Sequence, residues 1–560
     1  MLLRTIGCGI VFLLGALQVN AQNSGIRLSA VPGRSVVRAQ NGMVATSQPL
    51  ASEVGLEVLK HGGNAVDAAI AVAAMLNVTE PMMTGVGGDA FMMVYWARSG
   101  ELKGLNASGR APQALTLEHF RHRGLKQIPV RGMESISVPG AFDGWVTLLN
   151  RYGTMKIADL LQPAIEYAEN GFPVMEKTAE DWQAEVDVLK RDPASTATYL
   201  PQGRAPRSGE IFRNPKFAST LRKLAAGGRE ALYNGEVGRE MVAYFAQHGG
   251  YITMDDLAAQ HSEWVDPIST EYRGYKVCEM PPNGQGLTAL LALNILENFD
   301  LRSMAAKPDL FYPIEIEALK LAFADRNRYI ADPKFADVPV QQLLSKEYAK
   351  QRAALIRTDS AIADPQPGMM MQGSTTYFTV VDKDHNAVSF INSLFEHFGS
   401  GITAGETGIM MQDRGSQFSL DPNSPNVIAP GKRPFHTLIP AMVFNDKKLL
   451  LSFGVMGGAM QPQGHVEVLT RIIDLGMGLQ EAIDAPRFRY DGGNRVVMED
   501  LMGAETIQSL IRLGHRRVAP AGGGSVRSAM GGAQLIMIDP ETGTLAGASD
   551  PRKDGMALGW

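Results

Sequence analysis

The sequence is poor in the residues and motifs on which several functional classes depend. Of its 560 residues only two are cysteine, and the ten histidines are scattered. No CxxC or HExxH pattern predicts a zinc site, and no P-loop or GxGxxG fingerprint predicts a nucleotide site. The net charge of −5 provides no basic footprint for nucleic acid. We therefore predict no metal, no cofactor and no nucleic-acid partner.

The sequence also lacks an apolar run long enough to cross a membrane, and a shorter run lies at the start of the chain. Arg4 precedes the apolar run Ile6–Leu17, and Ala21 ends a small-residue cleavage pattern. This predicts a signal peptide over 1–21 and a periplasmic or secreted mature protein. The run is shorter than the ~20 residues of a spanning helix, so we predict no membrane span. Cys8 suggests a lipoprotein as an alternative, but a lipid-modified cysteine follows its apolar run rather than preceding most of it.

Removal of the signal peptide would leave Cys278 as the remaining cysteine. One thiol cannot form an internal disulfide, so stability in an oxidising compartment must come from the core. Because it lies in the strand-like stretch YRGYKVCEM, we interpret Cys278 as a small buried hydrophobe rather than a nucleophile.

A threonine pair opens a predicted β-hairpin in mid-chain. After a connector rich in breakers (358–374), YFTVV and AVSFINS predict two strands around the polar turn DKDHN. A cut before Thr375 would give one residue both a hydroxyl and an α-amine, which titrates near ~7.7–8.0. Such an amine can act as general base for the hydroxyl. Composition alone leaves Thr376 as a rival, and β-propensity is the commoner reason for such a pair.

Predicted strands and helices recur on both sides of the connector. Helical patterns cover 50–76, broken at Gly62-Gly63, and the second piece is so apolar that we expect it to be buried on every side. A strand at 449–453 precedes the pair Gly457-Gly458, which on its own predicts no more than a turn. The two halves are therefore predicted to share one interleaved α/β body, so a cut at the connector would leave two locked subunits.

Segments along nearly all of the mature chain resemble the γ-glutamyltransferase (glutathione hydrolase) family of N-terminal nucleophile hydrolases. No single segment decides the matter, but their number, order and spacing make chance resemblance implausible. They are GLEVLKHGGNAVDAAIAVAAMLNVTEP, GVGGDAFMMVY, SVPGAFDGW, YGTMKIADLLQPAIEYAENGFPV, PPNGQGLTALLALNILENFDL, TTYFTVVDKDHNAV, FGSGITAGETGIMMQ, PGKRPFHTLIPAMV, GVMGGA, EAIDAPRF and GASDPR.

The resemblance implies an α+β fold, a four-layer αββα sandwich made as a precursor that cuts itself. The cut would fall between Ser374 and Thr375, giving a large subunit (22–374) and a small catalytic subunit (375–560). Two interleaved subunits would result, and a dimer of such heterodimers is a further assembly that the resemblance leaves open.

The resemblance also assigns catalytic roles. Thr375, rather than Thr376, matches the nucleophile, and Ser393 matches a hydroxyl residue that hydrogen-bonds it. Gly457 and Gly458 match the pair that forms the oxyanion hole, where glycine lets backbone N–H groups approach a developing oxyanion closely.

Several substrate-binding positions depart from the family pattern. The arginine that grips an α-carboxylate in typical members aligns with Ser108, and Arg110 lies two residues later, either reaching the same site or lying on the surface. An asparagine becomes Phe395. The pair that holds an α-amino group becomes Arg414 and Gln417.

The family's serine pair becomes His436-Thr437, and the chain between Phe418 and His436 is shorter than in members with a lid loop. Loss of the acidic partner removes the charge-assisted bonds to an ammonium group, whereas Arg414 favours a carboxylate. The alternative is that Arg414 pairs with Asp413 or points to solvent. This pattern resembles the lid-less, acylase-like branch of the family.

We therefore predict a threonine amidohydrolase or acyltransferase that cleaves γ-glutamyl amides such as glutathione, with water or an amine as acceptor and hydrolysis favoured. An alternative keeps the mechanism and changes the substrate to a glutaryl or other dicarboxylic monoamide. An inactive binding homologue is a third hypothesis, which the presence of Thr375, Ser393, Gly457 and Gly458 disfavours.

Overall fold

The computed structural model describes residues 33–363, 365, 374–520 and 524–560. The predicted signal peptide, Cys8 and most of the second half of the predicted connector lie outside these residues. In the described ranges, no helix combines the length and the apolar character that crossing a membrane requires.

The described strands and helices alternate along the chain. The strands are β1 (Val37–Ala39), β2 (Met43–Thr46), β3 (Asp89–Trp96), β4 (Glu101–Ala107), β5 (Phe172–Pro173), β6 (Ile211–Phe212), β7 (Glu263–Val265), β8 (Ile268–Tyr272), β9 (Tyr275–Glu279), β10 (Ser374–Val381), β11 (Ala387–Phe395), β12 (Ala441–Asn445), β13 (Lys448–Met456), β14 (Phe488–Tyr490), β15 (Arg495–Met498), β16 (Arg516–Arg517), β17 (Gly532–Ile538), β18 (Leu545–Ser549) and β19 (Met556–Gly559). The helices are α1 (Pro49–Lys60), α2 (Ala65–Thr79), α3 (Leu117–His122), α4 (Ala141–Tyr152), α5 (Ile157–Asn170), α6 (Glu176–Ala184), α7 (Val186–Leu189), α8 (Pro193–Tyr199), α9 (Pro215–Tyr233), α10 (Glu236–Gln247), α11 (Met254–Ala258), α12 (Gly286–Leu296), α13 (Pro308–Tyr329), α14 (Val340–Leu343), α15 (Lys346–Ala353), α16 (Met460–Ile473), α17 (Leu479–Asp484), α18 (Ala504–Arg512) and α19 (Val526–Ala529).

Two seven-stranded antiparallel sheets form the centre of the molecule. Sheet I has the order β1-β18-β17-β13-β12-β9-β8, and sheet II has the order β19-β2-β10-β11-β3-β4-β7. Apolar side chains from both sheets fill the space between them, among them Met43, Phe91 and Tyr377 of sheet II and Met442 and Ile536 of sheet I. Burial of this kind is the dominant favourable term in folding.

Helices cover the outer face of each sheet. α1, α2, α4 and α5 share a core with sheet II, and α12, α13 and α16 share a core with sheet I. The order of layers is therefore helix, sheet, sheet, helix, and the predicted αββα sandwich is confirmed.

α2 shows how the sequence produces the buried layer. Asn64 caps its first turn in a capping box with Asp67, after the break at Gly62-Gly63. Every residue of α2 is buried, as its run of Ala, Val, Ile and Leu predicts. Cys278 is likewise buried and unpaired, and burial raises the pKa of its thiol to about 12.

The two halves of the chain are interleaved as predicted. Sheet I takes β1, β8 and β9 from before the connector and its other strands from after it. Sheet II takes β2, β3, β4 and β7 from before it, and β10 is an interior strand that lies between β2 and β11. A cut in front of Thr375 would therefore leave two pieces that share both sheets. The subunit boundaries themselves stay a prediction.

Candidate active site

The β10–β11 hairpin carries Thr375 at an irregular point of its register. Ser374 pairs with Phe395 and Thr376 pairs with Asn392, so that Thr375 faces two residues of the partner strand. Irregularities of this kind redirect a side chain and are common beside active sites. Thr375 is almost wholly buried, and the hydroxyl is held inside the sandwich rather than at its surface.

Two side chains, Ser393 and Gln461, reach the Thr375 hydroxyl, and Arg414 reaches Ser393. Thr375 Oγ1 lies 3.3 Å from Ser393 Oγ, and Gln461 Nε2 donates to it at 3.4 Å. Ser393 Oγ in turn accepts from the Phe395 N–H at 2.8 Å and from Arg414 Nη2 at 3.1 Å. Because these donors occupy acceptor positions of the Ser393 oxygen, they orient its O–H toward a further acceptor. Thr375 Oγ1 is within reach of that proton.

Thr376 has different surroundings. Its Oγ1 donates to Glu80 Oε2 at 2.9 Å, and the same oxygen accepts from Ser47 Oγ at 2.5 Å. Glu80 is buried where α2 ends, and burial raises the pKa of its carboxyl. The contacts of the two threonines therefore differ: Thr376 is anchored to the helix layer, and Thr375 lines a cavity.

Gly457 and Gly458 connect β13 to α16 beside that cavity. Their φ angles are +120° and +59°, and a Cβ on Gly457 would lie 3.0 Å from Gly531 Cα. Both φ values favour glycine, and a side chain at Gly457 would in addition be crowded by Gly531. Gly458 O accepts from Gln285 Nε2 at 2.9 Å. The N-terminus of α16, which follows directly, carries the partial positive charge that favours an anion.

Arg414 is buried and points toward the nucleophile cluster. Nη1 donates to Thr437 Oγ1 at 2.8 Å, and its guanidinium lies 4.4 Å from the centre of the Phe395 ring. Nε is buried without an acceptor among the described residues. Burial lowers the pKa of Arg414 to about 10, so it stays protonated at neutral pH. An orientation toward solvent, one alternative for this residue, is thus excluded.

An acidic pair, Asp413 and Glu396, lies near Arg414. Asp413 Oδ1 accepts from the Glu396 N–H at 3.0 Å. Burial, and then the charge of Asp413, raises the pKa of the Glu396 carboxyl. Arg131 and Arg414 act against that rise. The carboxyl group of Asp89, and then those of Asp413 and Glu396, act to raise the pKa of Arg414 and so offset its charge in part.

His436 supports the site without touching Thr375. Its Nε2 donates to Asp89 Oδ2 at 3.0 Å, and its Nδ1 accepts from the Leu438 N–H at 3.3 Å. Burial, and then the charge of Arg414, lowers its pKa to about 4. Asp89 Oδ1 accepts from the Gly109 N–H at 2.8 Å, which fixes the loop before Arg110. His436 is therefore a neutral connection between two loops.

Arg110 is not brought to the hydroxyl cluster. Its Nη2 forms an ion pair with Glu263 at 2.7 Å, and its Nη1 donates to Gly431 O at 3.2 Å. Asn106 Oδ1 accepts from the Ser108 N–H at 3.0 Å, which helps to fix this loop. The role of Arg110 in substrate binding stays a prediction.

Two cavities of different size adjoin the cluster. A cavity of about 20 Å³ is lined by Thr375, Gly457, His397, Ser528 and Lys553. A larger one of about 360 Å³ lies on the Arg414 side, lined by residues that include Gln417, Phe418, Phe435, Thr437 and Arg326. Gln417 thus belongs to the larger cavity. In the described ranges, His, Cys, Asp and Glu side chains do not gather in threes as metal ligands.

Reasoning from the sequence missed several residues of this site. Gln461 and Glu80 touch the two threonines, and Gln285 joins Gly458 to the loop of Thr437. A single polar residue at a helix start or end gives no catalytic signal. Gln285, Glu80 and Asp89 do lie in the segments PPNGQG, NVTEP and GVGGDA, whose unusual turn chemistry was the available hint.

The four-layer fold is that of the N-terminal nucleophile hydrolases, a class of amide-cleaving enzymes, and sequence comparison defines the family. The γ-glutamyltranspeptidase family model matches residues 51–560. The chain belongs to the γ-glutamyltranspeptidase family and is an enzyme of that family of hydrolases.

Individual relatives cover nearly the whole chain. The glutathione hydrolase-like YwrD proenzyme of Bacillus subtilis (strain 168) is 41% identical over 92% of this chain and 98% of its own length. The oxamate amidohydrolase proenzyme of Klebsiella pneumoniae is 37% identical over 93% of this chain and 98% of its own. Among solved structures, cephalosporin acylase from Bacillus halodurans is similar, with 46% identity and a TM-score of 0.88 over 95% of this chain and 98% of its own.

Proposed function

We propose that this protein is a self-processing amidohydrolase whose nucleophile is the N-terminal threonine of the small subunit, Thr375. The observation that carries the proposal is the convergence of Ser393, Gln461 and Gly457 on the Thr375 side chain and its cavity. The names of two similar proteins describe them as proenzymes, which supports a precursor here as well.

Processing would free the amine that the reaction needs. The Thr375 hydroxyl would attack the carbonyl carbon of Ser374, shifting the acyl group from nitrogen to oxygen. Water would then cleave the ester, releasing the carboxylate of Ser374 and the α-amine of Thr375. The large subunit (22–374) and the small subunit (375–560) would stay together because they share both sheets.

Turnover would follow a two-step course. The α-amine takes the proton of Thr375 Oγ1 as this oxygen bonds to the amide carbon, and the oxyanion faces Gly457 and Gly458. The C–N bond breaks, and the amine leaves with that proton. Water then attacks the ester, its proton passes to the α-amine, and the acid is released as Oγ1 regains a proton. An amine in place of water would complete a transfer.

The leading substrates are γ-glutamyl amides such as glutathione, or related acyl amides whose acyl group ends in a carboxylate. Arg414 supports this choice, because its buried guanidinium is one hydrogen bond from Ser393 and its Nε–H has no acceptor among the described residues. A carboxylate is the group that such a fork binds best. Thr437, which accepts from Arg414, also lines the large cavity, which gives the substrate room.

The same observation favours a second candidate, a glutaryl or other dicarboxylic monoamide. The position that binds the ammonium group in typical members holds Gln417 here rather than an acidic residue. Oxamate and cephalosporins are the substrates named for two similar proteins. We expect hydrolysis to outweigh transfer, and we expect export after removal of residues 1–21.

Two anilides separate the candidates. Purified protein is incubated with γ-glutamyl-p-nitroanilide and with glutaryl-p-nitroanilide, which differ in the α-amino group. The leading proposal expects turnover of both, with glutathione competing as a substrate. Turnover of the glutaryl anilide alone would reject the glutathione reading and leave the acylase.

A denaturing gel tests the processing step separately. The 60.5 kDa chain should give two bands of about 38 and about 20 kDa, in proportion to their residue numbers. A wild-type protein that stays one chain and is inactive on both anilides would contradict the proposed function.

A further inference from the structure

The small cavity beside Thr375 has one wall to which the reaction above gives no role. Lys553 lines it together with His397 and Gly457, and its side chain is only 5% exposed. Among the residues that line this cavity, Lys553 is the one lysine or arginine. A buried ammonium group at that position requires an explanation, because burial of a charge is costly.

Asp181 holds the ammonium group in place. Its Oδ2 lies 3.1 Å from Lys553 Nζ, and Arg527 approaches its Oδ1 at 3.3 Å. Burial acts to raise the pKa of Asp181, but Lys553, His397 and Arg527 together lower it to about 2. Asp181 lies on α6 and Lys553 lies just before β19. A charged pair thus joins the two parts of the chain at the nucleophile.

The other titratable groups around this point are already engaged. Glu80 binds Ser47 and Thr376 and experiences the attraction of Lys553. His397 Nδ1 lies 3.7 Å from Glu185, which also pairs with Arg131. The remaining neighbours are Asp554, which accepts from the N–H groups of Lys177 and Thr178, and Glu180, which pairs with Arg527.

We propose that Lys553 is a positioning residue whose ammonium group, held by Asp181, keeps the α-amine of processed Thr375 neutral and able to accept a proton. This rests on the proposed function, because the amine exists only after the cut. A free α-amine titrates near ~7.7–8.0 and would be largely protonated at neutral pH. A neighbouring positive charge disfavours its ammonium form and so raises the fraction of free base. Asp181 moderates that effect by partly neutralising Lys553.

The pH dependence of kcat/KM tests this role. The rate of p-nitroaniline release is measured from pH 5 to pH 9 on whichever anilide the wild type turns over, with wild type, Lys553→Met, Lys553→Arg and Asp181→Asn. The amine must be deprotonated to act, so kcat/KM rises with pH along the acid limb.

The two charge changes should move the acid limb in opposite directions. Lys553→Met should move it upward by about half to one pH unit, lowering kcat/KM at pH 6 by about 3- to 10-fold. Asp181→Asn should move it downward, because Lys553 then acts without its counter-ion. Lys553→Arg keeps the charge, so its acid limb should lie at the same pH as that of the wild type.

A merely structural role gives a different pattern. If both neutral variants lower kcat or the yield of folded protein while the acid limb stays in place, the proposal is overturned. Should Lys553→Met not fold, Asp181→Asn alone decides. An acid limb of kcat/KM that stays in place or moves to higher pH in this variant rejects the electrostatic role. An unprocessed wild type would reject the proposed function together with this one, whereas a processed and active wild type with unmoved limbs rejects only the role of Lys553.

Discussion

The two sides of the Thr375 hydroxyl differ in the space and the charge that they offer. On one side, Thr375 and Gly457 line a cavity of about 20 Å³, enough for one water molecule. On the other, Arg414 and Thr437 lead toward a cavity of about 360 Å³. Bond making needs fixed short distances, whereas recognition needs volume and a few placed polar groups. From the resemblance noted in the sequence, we predict that the first side retains the family pattern and that the second departs from it.

The largest effect should come from removing the nucleophile. Thr375→Ala should leave one chain of about 58 kDa without its signal peptide, in proportion to 60.5 kDa for 560 residues, and no amidase activity, because no hydroxyl remains to attack. A denaturing gel and an anilide assay measure both. Thr376→Val is the matched control: it removes the bond to Glu80, and it should still be cut. Cleavage of the Thr375 variant would refute its role.

A smaller loss of activity should follow from a change confined to the side of Thr375 on which Arg414 and the large cavity lie. Arg414→Gln removes the buried charge, and we expect kcat/KM on glutaryl-p-nitroanilide to fall about 100-fold, as for a lost charge-assisted pair. The loss on butyryl-p-nitroanilide, which has no carboxylate, should be below about tenfold.

Arg414→Lys, which retains the charge but not the fork, should lie between the two. Processing of Arg414→Gln should persist, because the hydroxyl and the glycine pair are untouched. Equal losses on the two anilides would contradict a carboxylate-binding Arg414 and would remove the distinction between the two sides.

The burial of neutral His436 should show in the pH dependence of the free energy of unfolding. The pKa of His436 is about 4 when folded, against an ordinary 6.5, so the unfolded chain binds more protons between these values. The stabilising contribution is fully present above pH 6.5 and is lost as the pH falls, by at most about 1.4 kcal/mol per unit.

Urea unfolding at pH 4.5 to 7.5 measures this term. His436→Gln should show a shallower acid loss of the free energy of unfolding than the wild type, by up to that amount per pH unit. Parallel curves for the two proteins would show that His436 is not buried in its neutral form.

The smallest effect should come from the far wall of the large cavity. Phe435→Ala widens that cavity without touching Thr375, so we expect the ratio of kcat/KM values for a bulky and a small substrate to change about fivefold or less, in the range that one apolar contact contributes. Phe335→Ala is a control, because this exposed ring is not among the residues that line the cavity. Equal ratios for the wild type and both variants would place the substrate elsewhere.

Patterns in the sequence predicted local elements and the interleaving of the two halves, whereas the four layers and the site residues came from family resemblance. Period and composition were enough for the break at Gly62-Gly63, the buried α2 and the β10–β11 hairpin, because those signals are local. The interleaving of the sheets was also predicted, since strands recurred on both sides of the connector. The positions of Thr375 and Ser393 came from family resemblance.

What the sequence could not predict depends on distant contacts. Glu80 and Thr376 are 296 positions apart, and Lys553 and Asp181 are 372 apart, so no local pattern joins them. The direction of Arg414 was equally open, because burial against Phe395 and the bond to Thr437 decide it. The placement of Arg110 was open for the same reason, since its ion pair with the distant Glu263 gave no local signal.

The N-terminal sequence of the small subunit tests the central claim most directly. Purified wild-type protein is separated under denaturing conditions, and the smaller chain is sequenced from its end and weighed by mass spectrometry. The account predicts that this chain begins Thr375-Thr376-Tyr377 and carries a free α-amine. A chain that begins at Thr376 or at another residue, or a protein that remains in one piece while hydrolysing an anilide, would contradict it.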